Sequence, residues 1–223
     1  IRIDSVHQGD HDGIKGLYHI NAVDCVTQWE VVASVQTIAE VHLLPVIEQM
    51  LGQFPFEILG FHADNGSEYV NHRVARLLEK LRIEFTRSRP RRSNDNGLAE
   101  TKNGAVVRKV FGYGHIPQRH ASRFNTFCVE YLNPFLNLHR PCLFATELPD
   151  AKKAGRIKRV YRPRDVMTPL DKLASLPEAG KYLREGITLE HLHQLARALS
   201  DIQAAEELNE ARAALFRRVP ARA

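Results

Sequence analysis

The feature that most restricts how this chain can fold is the order in which two periodicities follow one another. Residues 2–6, 17–24 and 29–35 read as three short strands in succession, with Gly9, Gly13 and Gly16 in the first connection and Cys25 to Gln28 in the second. Adjacent short strands joined this briefly favour an antiparallel meander. The period then changes. Ile38, Val41, Leu44, Ile47 and Leu51 recur at helical spacing over 37–51, and the stripe ends at Gly52. A β-prone run over 57–62 stops at Asp64-Asn65-Gly66, a strong turn signal. Residues 71–81 then read as a helix, 83–86 as a strand, 87–96 as a basic, proline-containing loop and 97–111 as a helix. A further helix over 121–138 carries Phe124, Phe127, Val129 and Tyr131, and Pro134 is expected to interrupt it. The order βββ-α-β-α-β-α-α predicts an α/β fold, a mixed sheet with helices packed on it.

From Pro141 the composition changes, which places a boundary near 140. Residues 1–140 read as the core, 141–187 as a basic linker with short helices, and 188–218 as a C-terminal helical segment. Ser200-Asp201-Ile202-Gln203 has the form of a capping box that restarts a helix after Leu199. Leu189, Leu192, Leu195, Leu199, Ile202, Leu208 and Leu215 form its stripe, and packing onto the core is preferred to a dedicated oligomer surface. The first residues, Ile1-Arg2-Ile3-Asp4, have neither an initiator Met nor a signal-like layout, so the chain reads as an internal fragment.

Charge narrows the class of partner. The net charge is +5 and the pI about 9.2, with basic residues gathered at Arg87, Arg89, Arg91 and Arg92 and again over 152–164. Such clusters suit a polyanion. No apolar run approaches the roughly 20 residues that cross a bilayer, so no membrane partner is expected. Cys25, Cys128 and Cys142 are scattered and form no CxxC pair, which argues against a disulfide framework or zinc knuckle and suits a reducing cytoplasm.

Three acids stand at element ends. Asp4 lies in the first strand, Asp64 closes a later one, and Glu100 lies in the first turns of the helix after the basic loop. Isolated carboxylates from separate elements are what phosphodiester chemistry with two divalent ions, about 4 Å apart, requires. Asp10, Asp12 and Asp24 compete with Asp4 but sit in turns or later strands. Taken singly, each acid reads as a solvated carboxylate.

In combination they resemble the integrase catalytic core family of retroviral integrases and insertion-sequence transposases. Positions 64 and 100 leave 35 residues between them, the spacing of that family's D,D-35-E pattern. The flanking runs Ile3-Asp4-Ser5-Val6-His7, His62-Ala63-Asp64-Asn65-Gly66-Ser67-Glu68-Tyr69 and Asn96-Gly97-Leu98-Ala99-Glu100-Thr101-Lys102-Asn103 agree with it. The resemblance implies an RNase H-like mixed five-stranded sheet, with Asp4, Asp64 and Glu100 as catalytic residues and as ligands of two Mg²⁺ or Mn²⁺ ions. It also implies strand cleavage followed by 3′-hydroxyl strand transfer on transposon ends and target DNA, performed by a homo-oligomer acting on no small-molecule substrate. Two alternatives stay open: a nuclease of the same fold that only hydrolyses, and an inactive DNA-binding transposon remnant.

DNA contacts are expected from Arg87, Arg89, Arg91 and Arg92, from Lys158 and Arg159, and from the helix bearing Glu100. At ~100° per residue Arg108 falls near the Glu100 face and is the preferred helix contact, joined by Lys109, whereas Lys102 points largely away and enters through the family resemblance. His7 and His62 lack paired ligand spacing and read as structural. Gly112 reads as a helix stop and Trp29 as core.

Overall fold

A computed structural model describes residues 1–63, 72–88, 96–149 and 157–219. Strand β1 (Arg2–His7) is followed by a small ribbon of β2 (Asp10–His11) and β3 (Ile14–Lys15), then by β4 (Tyr18–Val23) and β5 (Glu30–Val35). β1, β4 and β5 form the expected antiparallel meander, with Asp4 opposite Asn21 and Asn21 opposite Val32. Helix α1 (Glu40–Leu51) carries the chain to the other side of β1, where β6 (Gly60–Ala63) pairs parallel to it. Helix α2 (His72–Lys80) then leads to β7 (Glu84–Arg87), parallel to β6. A parallel pair needs a crossover of this length, and the helices supply it. The strand order β5-β4-β1-β6-β7 is the expected mixed five-stranded sheet flanked by helices, with β1 at its centre.

Alternation along the strands divides the core in two. Ile3, Ile20, Ala22, Val31 and Ala33 face α1 and α2, where they meet Leu43, Ile47, Met50, Val74 and Leu78. On the opposite face Val6 and Val32 meet Val106, Val107, Phe111 and Phe124 from the later helices. The first three of these belong to one helical rod, α3 (Gly97–Lys102), wide π-type turns over Asn103–Val107 and α4 (Arg108–Phe111), which stops at Gly112 with φ 76° as expected.

Helix α5 (Ala121–Phe127) continues through wide turns at Cys128–Leu132 and Phe135–His139, so Pro134 does not end it as expected. Proline removes one N–H from the usual ladder, and the wider turns on either side carry the axis past it. This rod closes the sheet edge. Asn133 accepts from the Val32 amide at 2.9 Å and donates to its carbonyl at 3.0 Å, and Asn137 does the same for Glu30 at 2.7 Å in each direction. Two asparagine amides thus stand where a sixth strand would bond, which protects the edge from pairing with another chain. Replacing Asn137 with Ala leaves both Glu30 backbone groups without that partner, and urea titration is expected to show a loss of roughly 2–4 kcal/mol.

The largest departure from expectation lies beyond residue 140. In place of a linker, β8 (Cys142–Pro149) and β9 (Ile157–Met167) form a long antiparallel hairpin. Ile157, Tyr161 and Val166 are exposed along with Lys158 and Arg159, so no apolar alternation marks these residues as strand. Helix α6 (Pro169–Ala174) follows, then α7 (Leu189–Arg197) and α8 (Asp201–Arg217). The capping box is formed as expected: Ser200 Oγ accepts from the Gln203 amide at 3.3 Å and Gln203 Oε1 from the Ser200 amide at 3.0 Å. Leu192 joins the first core cluster, and Leu208 and Leu215 the second. Ile202 is 73% exposed, because the break at Ser200 turns the apolar faces of α7 and α8 out of register. Among the described residues no helix is long and apolar enough to cross a membrane.

His19 is fully buried on β4, its Nδ1 2.9 Å from Ser34 Oγ and its ring stacked on Phe111 at 4.1 Å. Burial, aided by the Arg108 charge, holds its pKa down at about 3. The unfolded chain therefore takes up a proton near pH 6.5 that the folded chain refuses until about pH 3, so stability falls as pH drops through that window. Denaturant titrations at pH 7.5 and pH 5 should show this loss, and His19→Phe should flatten it by about 2 kcal/mol.

Candidate active site

The site is built on the central strand. Asp4 is half-buried on β1; its Oδ1 accepts from the Ser5 amide at 2.8 Å and its Oδ2 from Asn103 Nδ2 at 2.8 Å. Asn103 in turn accepts from Asn21 Nδ2 at 3.1 Å, so a chain of amides runs from β4 through the helical rod to the carboxylate. At the other end of α3, Asn96 Nδ2 donates to the Ile3 carbonyl at 3.0 Å. Asn96 and Asn103 are seven residues apart, about two turns, and therefore share a face. The helix is thus pinned to β1 at both ends. Glu100 lies four residues after Asn96, about 40° round from that pinned face, and is exposed. The fold therefore sets Glu100 on the flank of a helix tied directly to the Asp4 strand.

The opposite flank of α3 holds a buried ion pair. Lys102 Nζ lies 3.4 Å from Glu30 Oε2 and 3.3 Å from Cys142 Sγ, with side-chain exposures of 7% for Lys102 and 1% for Glu30. Burial pushes the Glu30 carboxyl up from its usual range, and the charges of Lys102 and then Arg140 pull it back. This corrects the placement of Lys102 among surface DNA contacts. The sequence shows that it points away from Glu100; the structure shows that it points inward, to a carboxylate on β5.

The other expected residues divide similarly. Arg108 is half-buried, its Nη2 donating to the His7 carbonyl at 2.9 Å and its Nη1 to Gln8 Oε1 at 3.3 Å and to the Gly112 carbonyl at 3.4 Å, with the guanidinium 4.9 Å from the Tyr113 ring centre. It joins the end of β1 to the end of α4, a structural role that its position near the Glu100 face does not reveal. Arg87, Lys109, Lys158 and Arg159 are exposed, and Arg159 Nε is 3.2 Å from Glu147 Oε1. Asp64, Arg89, Arg91 and Arg92 lie outside the described residues. The last described residue of β6, Ala63, is the register partner of Ile3 on one side and of Arg87 on the other.

The competing acids have other tasks. Asp24 accepts from the Val26 and Thr27 amides at 3.1 and 2.7 Å and so forms the β4–β5 turn. Asp10 lies 3.1 Å from His7 Nε2 and Asp12 3.4 Å from His11 Nε2. His62 joins β6 to β7, its ring nitrogens 2.9 Å from Thr86 Oγ1 and 3.2 Å from Ser88 Oγ. Sequence reasoning missed Asn21, Asn103 and Glu30. Asn103 carried one signal, its place three residues after Glu100 on a helix; the other two come from separate strands and carried none.

Residues 2–93 match the family described as Integrase core domain. The resemblance to the integrase core family stands on that match. It includes Asp4 and Asp64, and Glu100 lies beyond it. The chain is 28% identical over 164 residues to a protein of Sinorhizobium fredii (strain NBRC 101917 / NGR234) described as uncharacterized protein y4rM, covering 73% of this chain and 46% of that one. The chain thus spans about half the length of this relative. Among solved structures, the catalytic core domain of BIV integrase gives a TM-score of 0.46 at 18% identity, covering 62% of this chain and 83% of that one. A simian T-cell lymphotropic virus intasome in complex with the PP2A regulatory subunit B56 gamma gives 0.39 at 21% identity, covering 50% and 39%.

Removing Lys102 would leave Glu30 buried beneath α3 without its nearest cation. Lys102→Met is expected to cost about 3–5 kcal/mol in urea unfolding, and the double variant with Glu30→Gln to recover most of that loss.

Proposed function

We propose that this chain is the catalytic region of a DDE transposase or integrase, which cleaves a DNA strand and joins the freed 3′-hydroxyl to a second DNA. The observation that carries the reading is the attachment of the Glu100 helix to the Asp4 carboxylate through Asn103, at 2.8 Å. This attachment couples two of the three acids of the D,D-35-E pattern. The third, Asp64, follows Ala63 at the end of β6 in the sequence.

The donor set suits a hard divalent cation. Asp4, Asp64 and Glu100 offer oxygen alone, without thiolate or imidazole, as Mg²⁺ or Mn²⁺ prefers. Among the described residues no cluster of three or more such side chains could hold a metal, and the proposed set depends on Asp64 to complete it. When bound, a pair of such ions supplies an activated oxygen nucleophile and neutralises charge on the leaving oxygen. The chain's own residues do the positioning. Ser5 and Asn103 orient the Asp4 carboxylate, and Asn96 and Lys102 fix the pitch and roll of α3, hence the direction of Glu100. Gly104, one turn beyond Glu100, faces open space: a Cβ there would meet nothing within 4 Å. Packing therefore does not require glycine at that position, and a smooth helix surface beside the acids admits a closely approaching sugar-phosphate backbone.

Exposed Arg87, Lys109, Lys158 and Arg159 supply phosphate contacts, together with Arg89, Arg91 and Arg92 of the basic loop. The affinity is expected to fall steeply with salt. A homo-oligomer that holds two DNA ends completes the reading.

The test is strand cleavage and joining on a labelled duplex with Mn²⁺ or Mg²⁺. The unaltered chain is expected to cleave and join, and Asp4→Asn, Asp64→Asn and Glu100→Gln each to lose both steps by at least about a thousandfold. Cleavage without joining would favour a nuclease, and DNA binding with no cleavage in any chain an inactive remnant.

A further inference from the structure

The β8–β9 hairpin and the Glu100 helix enclose a recess that the acids do not use. Its volume is about 890 Å³, and it lies between the hairpin, the first turn of α3, the start of β1 and the β4–β5 turn. Arg2 lines it from β1, two residues before Asp4 and hence on the same face of the strand. Leu98 lines it from α3, two residues before Glu100. The recess therefore meets the strand that carries Asp4 on the Asp4 face and the helix that carries Glu100 on the flank away from that acid. Gln28 Nε2 donates to the Leu143 carbonyl at 3.0 Å and ties the base of the hairpin to the β4–β5 turn, which closes one side.

The lining is cationic and carries an open aromatic ring. Arg2, Arg159 and Lys172 face a single acid, Glu147, which is itself paired with Arg159 at 3.2 Å. Lys172 Nζ is held 5.3 Å from the Phe144 ring centre. Tyr161, 56% exposed, stands on β9 next to this charge with no ring packed over it among the described residues. Cations that track a phosphate backbone beside a free aromatic face are the two components of single-strand binding. Paired DNA meets only half of that chemistry, because its bases are already stacked and their faces are closed to a side chain.

We propose that this recess holds an unpaired DNA strand that passes along the start of β1 beside Asp4, with a base stacked on Tyr161 and phosphates against Arg2, Arg159 and Lys172. The inference rests on the reading of the chain as a DNA-processing enzyme and adds to it the strandedness of the substrate at one wall of the site. A transposon end frayed or nicked beside the acids would supply such a strand.

The test compares a blunt dye-labelled duplex with the same duplex bearing a short unpaired tail, by fluorescence anisotropy in EDTA. The full chain is expected to bind the tailed duplex about tenfold more tightly. Tyr161→Ala should abolish that preference and leave blunt-duplex affinity unchanged, while Tyr161→Phe, which keeps the ring, should retain it. Lys172→Gln should weaken tailed-duplex binding and reduce its salt slope by about one. Equal affinity for the two duplexes, or a preference that survives Tyr161→Ala, overturns the proposal. Binding in EDTA is read separately from metal-dependent cleavage. Loss of the tail preference with cleavage intact removes the recess alone, and loss of cleavage with the preference intact removes the assignment of the acids alone.

Discussion

The buried contact between Lys102 and Glu30 is the constraint on which the arrangement of the site depends. A lysine and a glutamate withdrawn from water are stable only when their geometry is kept, because either charge left alone bears the full cost of desolvation. That requirement fixes the roll of α3 about its axis: with Lys102 turned into the sheet toward β5, Glu100 emerges on the opposite flank. Asn96 and Asn103 fix the remaining freedom by bonding to the Ile3 carbonyl and the Asp4 carboxylate. One helix is thus held to three strands, and a surface carboxylate inherits the precision of a buried ion pair.

The same face of the sheet is unusually polar for an interior. His19, Asn21, Glu30 and Ser34 are all buried there, beneath helices that answer them with Asn103, Lys102 and Asn125. The other face is almost wholly aliphatic and aromatic. The apolar face supplies the bulk of the hydrophobic driving force, and the polar face sets direction, since hydrogen bonds and charges demand particular partners where apolar contacts accept many. Asn133 and Asn137 extend this logic to the backbone by closing the edge of β5 against strand addition.

The hairpin after residue 140 stands along the flank of α3 that faces away from Glu100. Cys142 near Lys102 joins it to α3, Gln28 on the Leu143 carbonyl to the β4–β5 turn, and Lys172 over Phe144 to α6. Basic residues that read in the sequence as a linker with short helices are thereby brought beside the helix that carries Glu100, although more than fifty positions separate Arg159 from it.

The sequence by itself determined the order of elements, because the switch from strand to helix periodicity is local: the meander, α1, α2, the 97–111 rod and the Ser200 capping box were all legible. It also marked Asp4, Asp64 and Glu100 as a set, through spacing and flanking residues. It read a helix over 121–138 but expected Pro134 to interrupt it, where wider turns instead carry the axis past, and it did not reveal the β8–β9 hairpin, whose second strand has no buried residue to mark an alternating pattern. Least of all could it separate Lys102 and Arg108 from exposed basic residues. Their partners, Glu30 on one strand and the His7 carbonyl at the end of another with Gln8 just beyond it, lie some seventy to a hundred positions away in the chain. Whether a lysine or arginine meets a phosphate or a buried acceptor is decided by what the opposite strand presents, and only the tertiary structure brings that strand within reach.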